Sequence, residues 1–195
     1  ANPDLGIATT ADFIARAKTQ SPPFTYSTPG AGLLQHLSME FMKQKFSFEA
    51  THVPYRATPQ SINDVVGGHV NTSIAEIGAS LSLIRDGKLK ALAVTSNARL
   101  PALPDVPTLA EGTNTPDYEA VSWHALFAPI ATPKEIVDRV SAEAKKALAD
   151  PALQAKLVEQ GIVPMGSTPE EFRAFVAEEI SRWRKVITDA GIKME

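Results

Sequence analysis

Phe24 to Ser27 is a short β-prone run that breaks at Pro29-Gly30, and Leu33, Leu34, Leu37, Phe41 and Met42 then recur at the spacing of one helical face. The run therefore predicts a strand, a glycine-rich loop and a helix in immediate succession. Such a loop leaves the first N–H groups of its helix without intrahelical acceptors, at the positive end of the dipole, where a carboxylate or other small anion is stabilised. Gly30 and Gly32 serve equally well as a tight turn that lets helix and strand pack closely. Neither the Lys-Ser/Thr ending of a P-loop nor the spacing of a dinucleotide-binding loop is present.

The same unit recurs along the first half of the chain. Thr10 is placed to cap a helix with Asp12 in its first turn and Phe13, Ile14 and Ala17 on one face. An extended run is expected over residues 46–53, then a helix opened by Thr58-Pro59 and stopped at Gly67-Gly68. Residues 70–76 and 79–84 repeat the pattern, and residues 89–95 read as a nearly all-apolar fourth strand. Alternation of this kind predicts an α/β fold with a parallel or mostly parallel sheet. Ligands sit at the carboxyl ends of such strands. That rule gathers residues 27–32, 54–58, 75–78 and 95–97 around one crevice.

Beyond this the pattern changes. Residues 100–118 form a proline-rich connector with a short helix near Thr108, and residues 121–128 read as a strand by β propensity. Thr132-Pro133-Lys134-Glu135 and Thr168-Pro169-Glu170-Glu171 both match a capping box with proline at the first helical position. Helices are expected to follow each, ending near residues 149 and 190, with a shorter one over 151–160.

Composition removes several classes of function. With 19 basic and 22 acidic residues and no Lys/Arg run, nothing tracks a phosphate backbone, which argues against nucleic acid as a partner. No apolar stretch approaches the ~20 residues of a membrane span, and the start of the chain lacks the character of a signal peptide, so any export signal is expected to have been removed or left out. Zero cysteines exclude disulfides and thiol catalysis. No cofactor motif stands out. His52, His69 and His124 are far apart without metal-ligand spacing, so no metal site is expected. Ser27, His36 and Glu76 lack a nucleophile elbow, and His36 reads as a packing histidine satisfied by one hydrogen bond. Arg56 suits either a bidentate carboxylate contact or a solvated position beside a turn. Trp123 and Trp183 read as core or interface anchors.

One ordered series of motifs spans most of the chain: Thr25-Tyr26 with Gly30-x-Gly32-x-x-x-His36-Leu37, His52-Val53-Pro54-Tyr55, residues 89–96, Leu103-Pro104-Asp105-Val106-Pro107-Thr108, and Gly166-Ser167-Thr168-Pro169-Glu170-Glu171-Phe172. Together they resemble the periplasmic solute-binding receptors of tripartite tricarboxylate transporters, the Bug or TctC type. The resemblance implies a periplasmic-binding-protein-like lobe over residues 1 to about 120. A crossover strand and helical return segment over 121–195 would belong to the other lobe, and the family's first hundred or so residues have no counterpart here. It further implies a periplasmic, non-enzymatic receptor that traps a small carboxylate between two lobes and hands it to membrane transporter subunits.

Carried over by position, Ser27, Thr28, Gly30, Ala31 and Gly32 fall on the family's ligand loop. Tyr55 and Arg56 fall on a turn where the family has Lys in place of Arg56. Ala75 and Glu76 stand where Asp-Asn is common, and Leu33 replaces a frequent hydroxyl residue. A carboxylate at Glu76 repels an anionic ligand by about 1 kcal/mol or more unless it is turned away or pairs with a cationic group of the ligand. A lone lobe implies weak or no affinity. Two other readings stay open: a small α/β hydrolase or transferase using the Gly30 loop as an oxyanion site, and a module that self-associates through Ile136, Val137, Val140, Phe172, Phe175, Val176 and Ile180 in the return segment.

Overall fold

The computed structural model describes residues 1–116 and 118–192; the last three residues of the expected return segment, 193–195, lie outside them. Helix α1 (Thr10–Ala17) leads into three parallel strands, β1 (Phe24–Thr28), β2 (Ala50–Pro54) and β3 (Thr72–Ser73), in the order β2-β1-β3. Thr28 stands opposite Pro54, and Ser27 opposite Ser73. Helix α2 (Leu34–Phe46) connects β1 to β2, α3 (Thr58–Val66) connects β2 to β3, and α4 (Ile77–Arg85) follows β3. The α/β expectation is met. Because the chain leaves central β1 toward one side and returns on the other, the connections part at the carboxyl ends of β1 and β3, the place where open α/β sheets form a crevice.

The core explains why β1 is central. Phe24 and Tyr26 are buried, and Phe13 of α1 stacks on Phe24 at 5.3 Å while meeting Phe48 edge-on at 5.8 Å. Ile62 and Val65 of α3 are buried with Val70, and Met39 and Met42 of α2 are buried too. Thr9, not Thr10, caps α1: its Oγ1 accepts the Asp12 N–H and Asp12 accepts the Thr9 N–H. Thr10 is instead buried inside the helix, where its hydroxyl donates to Leu92 O.

Several expected strands are shorter or absent. Phe46 still belongs to α2, which ends on left-handed Ser47, so β2 starts only at Ala50. Of residues 70–76 only Thr72 and Ser73 pair with β1. Residues 89–95 form no strand beyond a single bridge between Val94 and Thr108. Their backbone groups are satisfied one at a time instead: Lys90 N–H by Ala1 O, Val94 N–H by Pro107 O, and Val94 O by Leu109 N–H. Residues 89–95 are half-buried, with Lys90 exposed, and lie along irregular chain, so residues 95–97 are not part of the sheet's carboxyl edge. Helix α5 (Leu109–Thr113) is capped by Thr108 as part of this connector. Tyr118 is buried, with its hydroxyl on Ser38 O at 2.8 Å.

The chain divides into two compact units, residues 1–121 with those from Val186 onward, and Ser122–Lys185. In the first, Gln44 donates to Val186 O and Val186 is buried. The second holds α6 (Lys134–Leu148), α7 (Pro151–Glu159) and most of α8 (Pro169–Ala190). The strand expected over residues 121–128 makes no ladder among the described residues, and Leu126 and Phe127 are about three-quarters exposed (75% and 76%). β propensity without a neighbouring strand leaves the amides with no reason to extend as a sheet. The Thr132 capping box also does not form: α6 begins at Lys134 with Pro133 in the cap position and no side-chain cap. The Thr168 box does form, through Glu171 N–H to Thr168 Oγ1 and Thr168 N–H to Glu171 Oε2.

Candidate functional site

Helices α2, α3 and α4 all start from the carboxyl ends of the three strands, at Leu33, Ala57 and Glu76, and none of these starts has a side-chain cap. Helices α1 and α5 of the same unit are each capped by a side chain. In the first turn of α2 the amides of Leu34, Gln35 and His36 find no acceptor among the described residues. Leu33 beside them is 47% exposed and Leu34 half-buried, while Gln35 and His36 are each only 8% exposed. Uncapped amides at a helix start are the donors that an anion satisfies.

The loop between β1 and α2 is held from below. Gly32 has a φ of 75°, in the left-handed region that a side chain would strain, and its N–H donates to His36 Nδ1 at 3.0 Å. Thr28 Oγ1 donates to Gly30 O at 3.1 Å and lies 2.7 Å from His52 Nε2. Ser27 Oγ donates to Ser61 O, and both Ser27 and Thr28 are fully buried. Their hydroxyls hold the loop and strand together and face away from solvent. Of the predicted loop residues, Ala31 is the exposed one.

Across the crevice, Glu76 is exposed and its Oε1 lies 3.4 Å from the Nε2 of Gln35 on α2. This weak contact brings the predicted Ala75-Glu76 pair to the same helix start as the Gly30 loop. The Glu76 charge is turned partly onto Gln35. Tyr55 sits beyond Pro54 on the outer strand: its N–H donates to Thr28 O at 2.9 Å and its hydroxyl to Asp64. Burial and the Asp64 carboxylate together push that hydroxyl up to about 12. Arg56 is exposed and makes no ion pair among the described residues.

Beneath the loop lies a polar cluster that the sequence reading did not assemble. The His36 and His52 rings stack at 4.0 Å with 10° between planes, and Tyr26 stacks on His52 at 4.9 Å. Tyr26 donates to Glu40 Oε1 at 2.6 Å, and Lys43 donates to both Glu40 oxygens at 3.0 Å. Burial is the main reason the Tyr26 hydroxyl is held well above its usual range, with Glu40 acting the same way. Burial likewise lowers both imidazoles, His52 to about 4, where the charge on His36 adds to the effect. The i, i+4 spacing of His36 and Glu40 was visible in sequence; the pairing of His36 with His52 needed the β1–β2 register. No group of three or more His, Cys, Asp or Glu residues is arranged to hold a metal among the described residues.

Compared with known families, residues 1–192 match the one described as Tripartite tricarboxylate transporter family receptor. The chain belongs to this receptor family. It is 31% identical over 194 residues to BugT of Bordetella pertussis, covering 100% of this chain and 59% of BugT. It is 33% identical over 177 residues to a protein of the tcbD-tcbE intergenic region of Pseudomonas sp. strain P51, covering 90% of this chain and 53% of that protein. An R. palustris protein solved with adipate superposes with a TM-score of 0.86 at 34% identity, covering 98% of this chain and 64% of that one. MatC from Rhodopseudomonas palustris with bound malate gives 0.77 at 27% identity, covering 96% and 64%. The chain thus spans little more than half the length of these two relatives and under two thirds of the two solved structures. The members solved confirm the periplasmic-binding-protein-like fold expected above, and no described helix is long and apolar enough to cross a membrane.

Proposed function

We propose that this chain supplies one wall of a carboxylate site in a periplasmic receptor of the tripartite type, and that it has no enzymatic activity of its own. The observation that carries this reading is the set of amides at Leu34, Gln35 and His36 left without an acceptor at the start of α2, just past the carboxyl end of central β1. One ligand carboxylate takes these amides with Ala31 at the rim. Ser27, Thr28, Gly30 and Gly32 set the loop's shape. Glu76 and Ala75 border the opposite side, and Tyr55 and Arg56 the flank nearer β2. Adipate and malate in the two solved relatives are dicarboxylates of the matching chemistry.

On this reading residues 1 to about 120 form one lobe and residues 121–195 the segment that returns to the other. Closure of two lobes on the ligand biases the receptor toward the form its membrane subunits bind. The exposed Leu126, Phe127, Ile136 and Val140 are the surface that the other lobe covers.

Titration of adipate into the 15N-labelled chain tests the site. Shifts centred on the amides of Leu34, Gln35, His36 and Glu76 at millimolar adipate, with dimethyl adipate inert, are expected. Unmoved amides would refute the carboxylate assignment, micromolar affinity by calorimetry would refute the one-wall reading, and turnover of acyl or phosphoryl esters would refute the non-enzymatic one.

A further inference from the structure

The carboxylate reading leaves the stacked imidazoles unexplained. His36 is only 8% exposed on α2, and its Nδ1 accepts the Gly32 N–H at 3.0 Å. Acceptance at Nδ1 requires the tautomer with its hydrogen on Nε2, which points toward Glu40 Oε1 at 3.9 Å. The hydrogen bond spans the left-handed turn at Gly32, immediately before the amides that open α2. His52 fixes the other end of the same loop, through Thr28 Oγ1 at 2.7 Å. The stack of the two rings at 4.0 Å couples these supports.

We propose that His36 is a positioning residue for the anion loop: its neutral ring takes the Gly32 amide out of play and so aims the Leu34, Gln35 and His36 amides at the ligand. The proposal rests on the carboxylate reading above. The ring touches no ligand in this role; it acts through Gly32.

Protonation of His36 removes the acceptor, because an imidazolium carries hydrogen on both nitrogens and sets an N–H against the Gly32 N–H. The groups facing the ring are His52 from β2, Tyr26 from β1, and Glu40 and Lys43 from α2. Glu40 favours the charged ring, but Lys43 already neutralises it, and Tyr26 donates to it as well. Burial and Lys43 outweigh Glu40 and keep His36 below its ordinary range. The loop is therefore locked at neutral pH and released in acid.

Two variants separate positioning from bulk. His36→Phe keeps a ring on His52 and removes the acceptor; His36→Asn puts an oxygen near the Nδ1 position and cannot titrate. Amide exchange of Gly32 in the unliganded chain is expected to be slow in the natural protein and up to roughly tenfold faster in the Phe variant, with Asn restoring protection. On acidification, Gly32 protection falls in the natural protein and not in the Asn variant. Adipate shifts at Leu34, Gln35 and His36 then weaken in the Phe variant alone. Equal Gly32 exchange in the natural and Phe proteins overturns the proposal. Adipate that moves no amide in the natural protein overturns the carboxylate reading instead, and the Gly32 exchange data show which of the two has failed.

Discussion

Acid should weaken the sheet-bearing unit through His52 by an amount that the structure allows to be worked out. In the unfolded chain a histidine takes its proton near pH 6.5; in the fold His52 resists until about pH 4, chiefly because of burial and then because of the neighbouring His36 charge. Between those values the unfolded state binds a proton that the native state does not, so stability is complete above pH 6.5 and declines as the pH falls toward 4. The full difference corresponds to about 3 kcal/mol. The ring is only partly buried, and solvent screening brings the expected loss to about 1–2 kcal/mol. His52→Gln keeps a donor toward Thr28 Oγ1 without a titrating ring, so the difference between natural and variant proteins cancels the acidic residues that titrate alongside. Urea unfolding at pH 7 and 4.5 measures it. All three tyrosines lie in the first unit and both tryptophans in the second, which lets tyrosine near-ultraviolet dichroism follow the relevant unit. An identical loss of stability in the two proteins would refute the account of the stacked pair.

Two further outcomes follow from the packing. Ser27→Ala deletes the hydroxyl that satisfies Ser61 O in a fully buried position and should cost about 1–2 kcal/mol; a calorimetric melt checks this, and adipate shifts in the folded variant should stay as in the natural protein, since the hydroxyl is turned inward. The chain should also self-associate with rising concentration through the exposed Leu126, Phe127, Ile136 and Val140, and Phe127→Ser with Ile136→Ser should reduce the weight-average mass seen by light scattering. A natural chain that stays strictly monomeric at high concentration would show that this face needs no cover.

Sequence by itself determined the local pieces: the break at Pro29-Gly30, the helix α2 though not its face, since of the expected stripe only Leu37 and Met42 are buried and Leu33 lies exposed before the helix, the alternation that makes a parallel sheet, and the family motifs. These are legible because periodicity, turn residues and caps act over a few neighbouring positions. The exceptions are instructive. Thr132 and Thr168 carry the same capping pattern, yet only Thr168 closes its box. Residues 89–95 and 121–128 have the composition of strands and find no ladder, because a strand exists only where another strand offers its hydrogen bonds. Tertiary structure alone decided which way polar groups face. Ser27 and Thr28 look like ligand hydroxyls in the sequence, and burial under α3 and beside His52 makes them struts. His36 and His52 are 16 positions apart, and only the pairing of β1 with β2 stacks them beneath the loop whose shape they hold.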